Sequence, residues 1–137
     1  YAVSSSKGLC PKGWHIPGDD EWLTLRDYLD KYGYGYEGSG DDVAKSLALK
    51  SWTNSFNKGE LGNNQSTNNT SGFSAAPAGQ RNEDGSFSLM GTNTGFWVFD
   101  YNRLSYAYIY QLNAYSSELL RNTKDVHQGF SVRCVKD

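Results

Sequence analysis

Apolar residues recur at a helical period in one long stretch of the chain. Trp22, Leu25 and Leu29 stand at i, i+3 and i+7, with Tyr28 and Tyr32 on the flanks, so one face of a single helix is apolar. The start signals lie just before it. Pro17 is followed by Gly18 at the capping position, Asp19 and Asp20 in the first turn, and Glu21 where a capping box places its acid. The acids also suit the positive end of the helix dipole. Gly33 stops the helix. A weaker helical pattern covers 41–49, with Val43 and Leu47 on its buried side, and Tyr34, Gly35, Tyr36, Gly38 and Gly40 form a flexible connection before it.

The pattern then changes. From 53 to 70 the chain is polar, with six Asn in 18 residues, and reads as a long irregular excursion. Short strands are predicted at 73–75, at 79–81 and, after an Asp84-Gly85 turn, at 86–89. Two longer alternating stretches follow at 95–101 and 106–112, and a final strand at 129–135. Two early helices followed by antiparallel strands make an α+β domain with short elements and long loops.

Composition sharpens this without changing it. A chain of 137 residues has room for one domain, 1–137. With 37% hydrophobic residues, 20% charged residues and a net charge of −2, there is no signature of disorder and no electrostatic reason to bind nucleic acid. No apolar run reaches the length of a membrane span. The chain opens on Tyr1 and reads as a mature or excised domain whose targeting information lies elsewhere. Aromatics reach 15%, half of them the ten Tyr. Surfaces rich in Tyr bind well, because the ring is large, rigid and amphipathic.

Candidate chemistry is sparse. His15 and His127 lie far apart without metal-ligand spacing, and both read as structural or solvated. No nucleophile elbow, phosphate loop or dinucleotide fingerprint occurs. The run Asp19-Asp20-Glu21 and the pair Asp41-Asp42 read as helix starts rather than metal clusters. No catalytic residue, metal or cofactor is expected. Cys10 and Cys134 lie at opposite ends of the chain and cannot be a CxxC motif. They are either two buried free thiols or a bridge closing almost the whole domain. In the chain-entropy model such a bridge is worth roughly 5 kcal/mol, and it would imply an oxidising compartment.

Three blocks, in order, carry a family resemblance. Cys10-Pro11-Lys12-Gly13-Trp14-His15-Ile16-Pro17, running into Asp20-Glu21-Trp22, resembles the opening of the Fibrobacter succinogenes major paralogous domain. Gly72-Phe73-Ser74-Ala75-Ala76-Pro77-Ala78-Gly79 with Arg81 resembles its central GFSALPAGYR segment, and Gly129-Phe130-Ser131-Val132-Arg133-Cys134-Val135-Lys136-Asp137 its C-terminal signature. The match spans 8–137. The resemblance implies a C-type lectin-like fold in its formylglycine-generating-enzyme variant. In that fold the first and last strands pair, which implies the Cys10–Cys134 disulfide.

Related folds serve as bacterial adhesive and pilus domains and as variable proteins of diversity-generating retroelements. The enzyme variant would need two reactive cysteines near its C-terminus to hold copper, and only Cys134 lies there. Iron-dependent sulfoxide synthases of related fold would need a histidine cluster. The calcium-lectin triplets Glu-Pro-Asn and Trp-Asn-Asp are missing. The expectation is therefore a non-catalytic, exported domain of the bacterial surface that binds a protein or glycan. The alternative is a structural or pilus-assembly module, and neither reading involves nucleic acid or membrane insertion of the domain.

The binding face is expected where aromatics are densest. Eight of the 20 residues from 96 to 115 are aromatic. Trp97 is expected to pack inward. On the second long strand Tyr106, Tyr108 and Tyr110 share one face, opposite Ala107, Ile109 and Gln111, and the smaller apolar side is assigned to the interior. Phe99, Tyr101, Asn102, Leu104, Tyr106, Tyr108, Tyr110, Asn113 and Tyr115 are the expected contact set. Ala at Tyr108 and Tyr110 is then expected to abolish binding with little change in melting temperature. The stretch 98–115 also holds only Gln111 among Met, Trp, Gln, Lys and Glu, the residues that retroelement diversification of Asn codons never yields. Ordinary usage would place about three or four there, so this stretch is expected to be a diversified surface.

Overall fold

A computed structural model describes residues 8–38, 41–100 and 105–137. Helix α1 (Asp19–Lys31) forms where the acids and the apolar stripe require it. Its N-cap is Gly18, whose backbone N–H donates to the Glu21 carboxylate at 2.9 Å. At the other end the N–H of Gly33 donates to the Asp30 carbonyl and that of Tyr34 to the Leu29 carbonyl. That pair of bonds is a Schellman motif, and Gly33 supplies its left-handed residue at φ 78°. Trp22 and Leu29 turn into the core.

The second helix, α2, is shorter than its pattern and covers only Ala44–Leu47. Asp42 does not cap it. Its buried carboxylate instead accepts the backbone N–H groups of Glu37 and Gly38, folding the connection back. Beyond Leu47 the chain turns extended at Ala48, which bridges Ala75. Val43 and Leu47 are fully buried, as their spacing requires.

Among the described residues seven strands form, and two rules place them, pairing and burial. β1 (Trp14–His15) pairs antiparallel with β7 (Val135–Lys136), in the register Trp14 with Lys136 and His15 with Val135. Beside them the Cys10–Cys134 disulfide joins the two ends of the chain, with Cα atoms 5.7 Å apart. β2 (Gln80–Arg81) and β3 (Phe87–Ser88) form a small hairpin about the Asp84-Gly85 turn. The main sheet is antiparallel, in the order β4 (Asn93–Trp97), β5 (Tyr106–Asn113), β6 (Leu120–Asp125).

Three expectations change. The stretch at 73–75 is a single bridge at Ala75, not a strand. The C-terminal stretch dissolves into bridges of Gly129 with Arg81 and Ser131 with Phe96, so only β7 remains regular. β6 was not anticipated: Leu-Arg-Asn-Thr-Lys-Asp lacks apolar alternation, and pairing with β5 alone makes it a strand. A polar edge strand is invisible to hydrophobic periodicity.

Strand β4 is buried on both faces. On one, Trp22 stacks on Tyr110 at 5.0 Å and lies 5.6 Å from Phe96, over a core that includes Val43, Leu47, Leu61 and Leu112. On the other, Trp97 meets the edge of Phe130 at 5.0 Å, so it does pack inward. A Cβ at Gly95 would sit 2.8 Å from the Phe130 ring and 2.9 Å from the Ile109 side chain, so only glycine fits there.

The Asn-rich excursion is irregular but tightly bonded. Asn68 donates to the carbonyls of Leu49 and Leu61, and Gln65 brackets the backbone of Trp52 from both sides. Lys45 donates to the carbonyls of Glu60 and Asn63, and burial lowers its pKa. Side chains here replace the missing ladder bonds, which is how a long loop keeps its backbone satisfied.

Candidate ligand-binding surfaces

The Tyr-rich strand changes character along its length. Tyr106 is 55% exposed and Tyr110 only 1%. Tyr110 is therefore core, contrary to its expected place at a surface. Its ring lies on Trp22 and its hydroxyl donates to Asp19 at 3.0 Å. Burial, and then this bond, push the Tyr110 pKa to about 12. The interior is not reserved for the smaller side either: Ile109 on the opposite face is equally buried.

Asp19 organises this region. Arg121 on β6 grips its carboxylate with two bonds of 2.7 and 3.0 Å. Burial would raise the Asp19 pKa, but the bonds from Arg121 and Tyr110 hold it below its ordinary value. The same guanidinium lies 3.4 Å from the centre of the Tyr108 ring. Tyr108 is thus half-buried beneath a fixed arginine, with one face of its ring taken.

Other members of the expected set fall in different places. Val98 extends the β4–β5 register by donating to the Tyr108 carbonyl, which sets Phe99 at the same end of the hairpin as Tyr106. Phe99 is half-buried and its N–H donates to the Pro17 carbonyl, tying that end to the start of α1. Asn113 builds a turn: its side-chain oxygen accepts the Tyr115 N–H at 2.7 Å. Tyr115 is exposed, but it lies beyond the far end of β5, about 24 Å away at strand rise. One ligand patch cannot hold all of these residues. Tyr101, Asn102 and Leu104 lie outside the described residues.

A second surface was not anticipated. Between α1 and β7 runs an open groove of about 550 Å³, within the range of small-molecule and peptide pockets. Trp22, Leu25 and Phe73 form its floor, and Trp14 and Tyr28 stand beside it, 45% and 53% exposed. Arg133 lies 4.3 Å from the centre of the Phe73 ring and donates to the Phe73 carbonyl at 2.9 Å. The lining comes from four separate segments, so no local motif could have disclosed it. The only sequence hint was Tyr28, off the helix's apolar centre.

At the groove's edge His15 sits between two carboxylates. Its Nδ1 lies 2.7 Å from Asp137, and its Nε2 2.8 and 3.0 Å from the two oxygens of Glu21. The bonds to Asp137 and then Glu21 raise the His15 pKa. Burial would raise the Glu21 pKa, but the Gly18 N–H and His15 together hold it low. The two acids occupy opposite nitrogens of one ring and do not converge on a point. Among the described residues, no group of three or more His, Cys, Asp or Glu could hold a metal ion.

The sequence model described as the Fibrobacter succinogenes major domain matches residues 1–136. No curated protein and no solved structure matches this chain significantly.

Proposed function

This chain belongs to the Fibrobacter succinogenes major domain family, and we propose that it is a non-catalytic recognition domain. It works outside the cell or on the bacterial surface, and it binds a protein or glycan at the open end of the β4–β5 hairpin. The observation that carries this reading is the gradient along β5, from exposed Tyr106 to buried Tyr110. One end of the hairpin is clamped by Trp22, Asp19 and Arg121, while the other presents the exposed ring of Tyr106 from a stiff base. Rings held this way bind at low entropic cost. The contact set is accordingly Phe99, Tyr101, Asn102, Leu104 and Tyr106, without Tyr110. Variation at the exposed Tyr106 would spare the core, which suits a diversified surface. A C-type lectin-like arrangement, with paired first and last strands, is the fold we assign to this reading.

The test is binding to arrayed bacterial and host glycans and surface proteins by the wild-type domain and by Tyr106→Ala combined with Tyr101→Ala. Loss of every wild-type signal at unchanged melting temperature supports the reading. A signal indifferent to both substitutions sinks it. A gene neighbourhood without a reverse transcriptase and a template repeat differing at adenines would remove the diversification part alone.

A second reading, a structural or assembly module, has its own observation. Phe56, Phe87 and Met90 are 96%, 75% and 75% exposed, and large exposed apolar side chains suit contact with a neighbouring subunit.

A further inference from the structure

We propose that the groove between α1 and β7 is a docking site for an acidic peptide segment. A bulky apolar side chain of the peptide rests on Trp22, Leu25 and Phe73, and its flanking carboxylates meet Arg133 and Lys136. This surface is distinct from the hairpin end and does not depend on it.

Charge complementarity carries the argument. Among the described residues, two cations line the groove, Arg133 and Lys136, and neither is ion-paired with a carboxylate. The nearby carboxylates are committed elsewhere. Glu21 is held by the Gly18 N–H and His15, and Asp137 by the other nitrogen of the same imidazole. The groove therefore presents two cations with no carboxylate held directly against them, beside an apolar floor, and the ligand that fits carries negative charge at Arg133 and Lys136 beside an apolar group. Arg133 is also pre-positioned: stacking on Phe73 and its bond to the Phe73 carbonyl fix the guanidinium before any ligand arrives, which lowers the cost of ordering it.

The polar inventory separates a peptide from a sugar. A sugar buries many hydroxyls, each needing a partner, and recognition sites for it are lined with amides and acids free to pair. Among the described residues, no Asn or Gln lines this groove. Glu21 is spoken for, and the Thr24 hydroxyl already donates to the Asp20 carbonyl. A peptide needs fewer polar partners: an apolar side chain takes the floor and one or two carboxylates take the cations. The volume of about 550 Å³ suits one large side chain with its neighbours.

The test uses short fluorescein-labelled peptides with a central Phe or Trp between Asp and Glu residues, read by fluorescence anisotropy against the full 137-residue chain. Controls are the same peptides with the acids replaced by Lys, and a labelled oligogalacturonate. Binding of the acidic peptides should weaken as salt is raised. It should fall roughly tenfold or more in Tyr28→Ala and in Lys136→Glu. Both residues are exposed, so both variants should keep the wild-type melting temperature. Equal binding of acidic and basic peptides overturns the proposal, as does no binding by the folded wild type. Preferential, Tyr28-dependent binding of the oligogalacturonate overturns it in favour of an acidic sugar. Self-association that disappears in Tyr28→Ala overturns it in favour of a second copy of the chain.

Discussion

Tyr106 and Tyr110 lie on one strand, have the same parity and point to the same face of the sheet, yet one is exposed and the other is core. The difference is distance along the strand. Where β5 passes α1, the face is covered by Trp22 and the Asp19–Arg121 pair. Where it runs beyond the helix, no described residue covers it to the same degree, and Tyr108 between them is half-covered. Alternation decides which face a side chain takes. The footprint of the element packed above decides whether that face is wet. A Tyr stripe is therefore neither a core signature nor a surface signature until its cover is known.

That contrast can be broken most strongly through the frame that holds it. Replacing Cys10 and Cys134 by Ser should cost about 5 kcal/mol in the chain-entropy model, read by denaturant unfolding of the oxidised wild type against the variant. A variant as stable as wild type would mean that β1–β7 pairing closes the chain ends unaided. Next comes the buried ring: Tyr110→Ala should cost about 3–5 kcal/mol, not the negligible amount its expected surface position implied. Tyr106→Ala on the same strand should stay within about 0.5 kcal/mol. Equal costs for the two would erase the distinction drawn between the ends of β5.

Smaller effects sharpen the comparison. Tyr110→Phe keeps the packing and removes one donor to Asp19, for about 1 kcal/mol. In ultraviolet titration it should also remove an ionisation at about 12. Because that pKa is raised from 10.0, its contribution to stability is complete below pH 10 and is lost as pH rises toward 12. The smallest effect is at His15. Its pKa is raised from 6.5, so its share of the β1–β7 junction is whole below pH 6.5 and is lost as pH climbs through the raised value. Glu21 works the other way: its lowered pKa gives a share present above 4.5 and lost on acidification. Amide protection at Val135, taken relative to the intrinsic exchange rate at each pH, should therefore be greatest between these limits, and His15→Gln should abolish the alkaline limb.

Much of the local structure was legible. The caps and stripe of α1 and the Asp84-Gly85 hairpin each depend on neighbours within a few residues, and local rules reach that far, whereas Trp97, expected to pack inward, does so against the remote Phe130. The cysteines left two readings open, and the family resemblance chose the bridge that the structure contains. β6 escaped because its side chains carry no pattern, only a partner. The groove escaped for a related reason: Trp14, Tyr28, Phe73 and Arg133 are remote in sequence and meet only after the chain ends pair.

The sequence by itself determined the helix start, the family and the density of aromatics in 96–115, because these are written in residue type and short spacing. Tertiary structure alone decided which of those aromatics are wet, and that the carboxylates beside the groove are already paired. Burial and charge compensation are properties of what lies opposite a side chain, and for Tyr110 that is Trp22 and Asp19, 88 and 91 residues away.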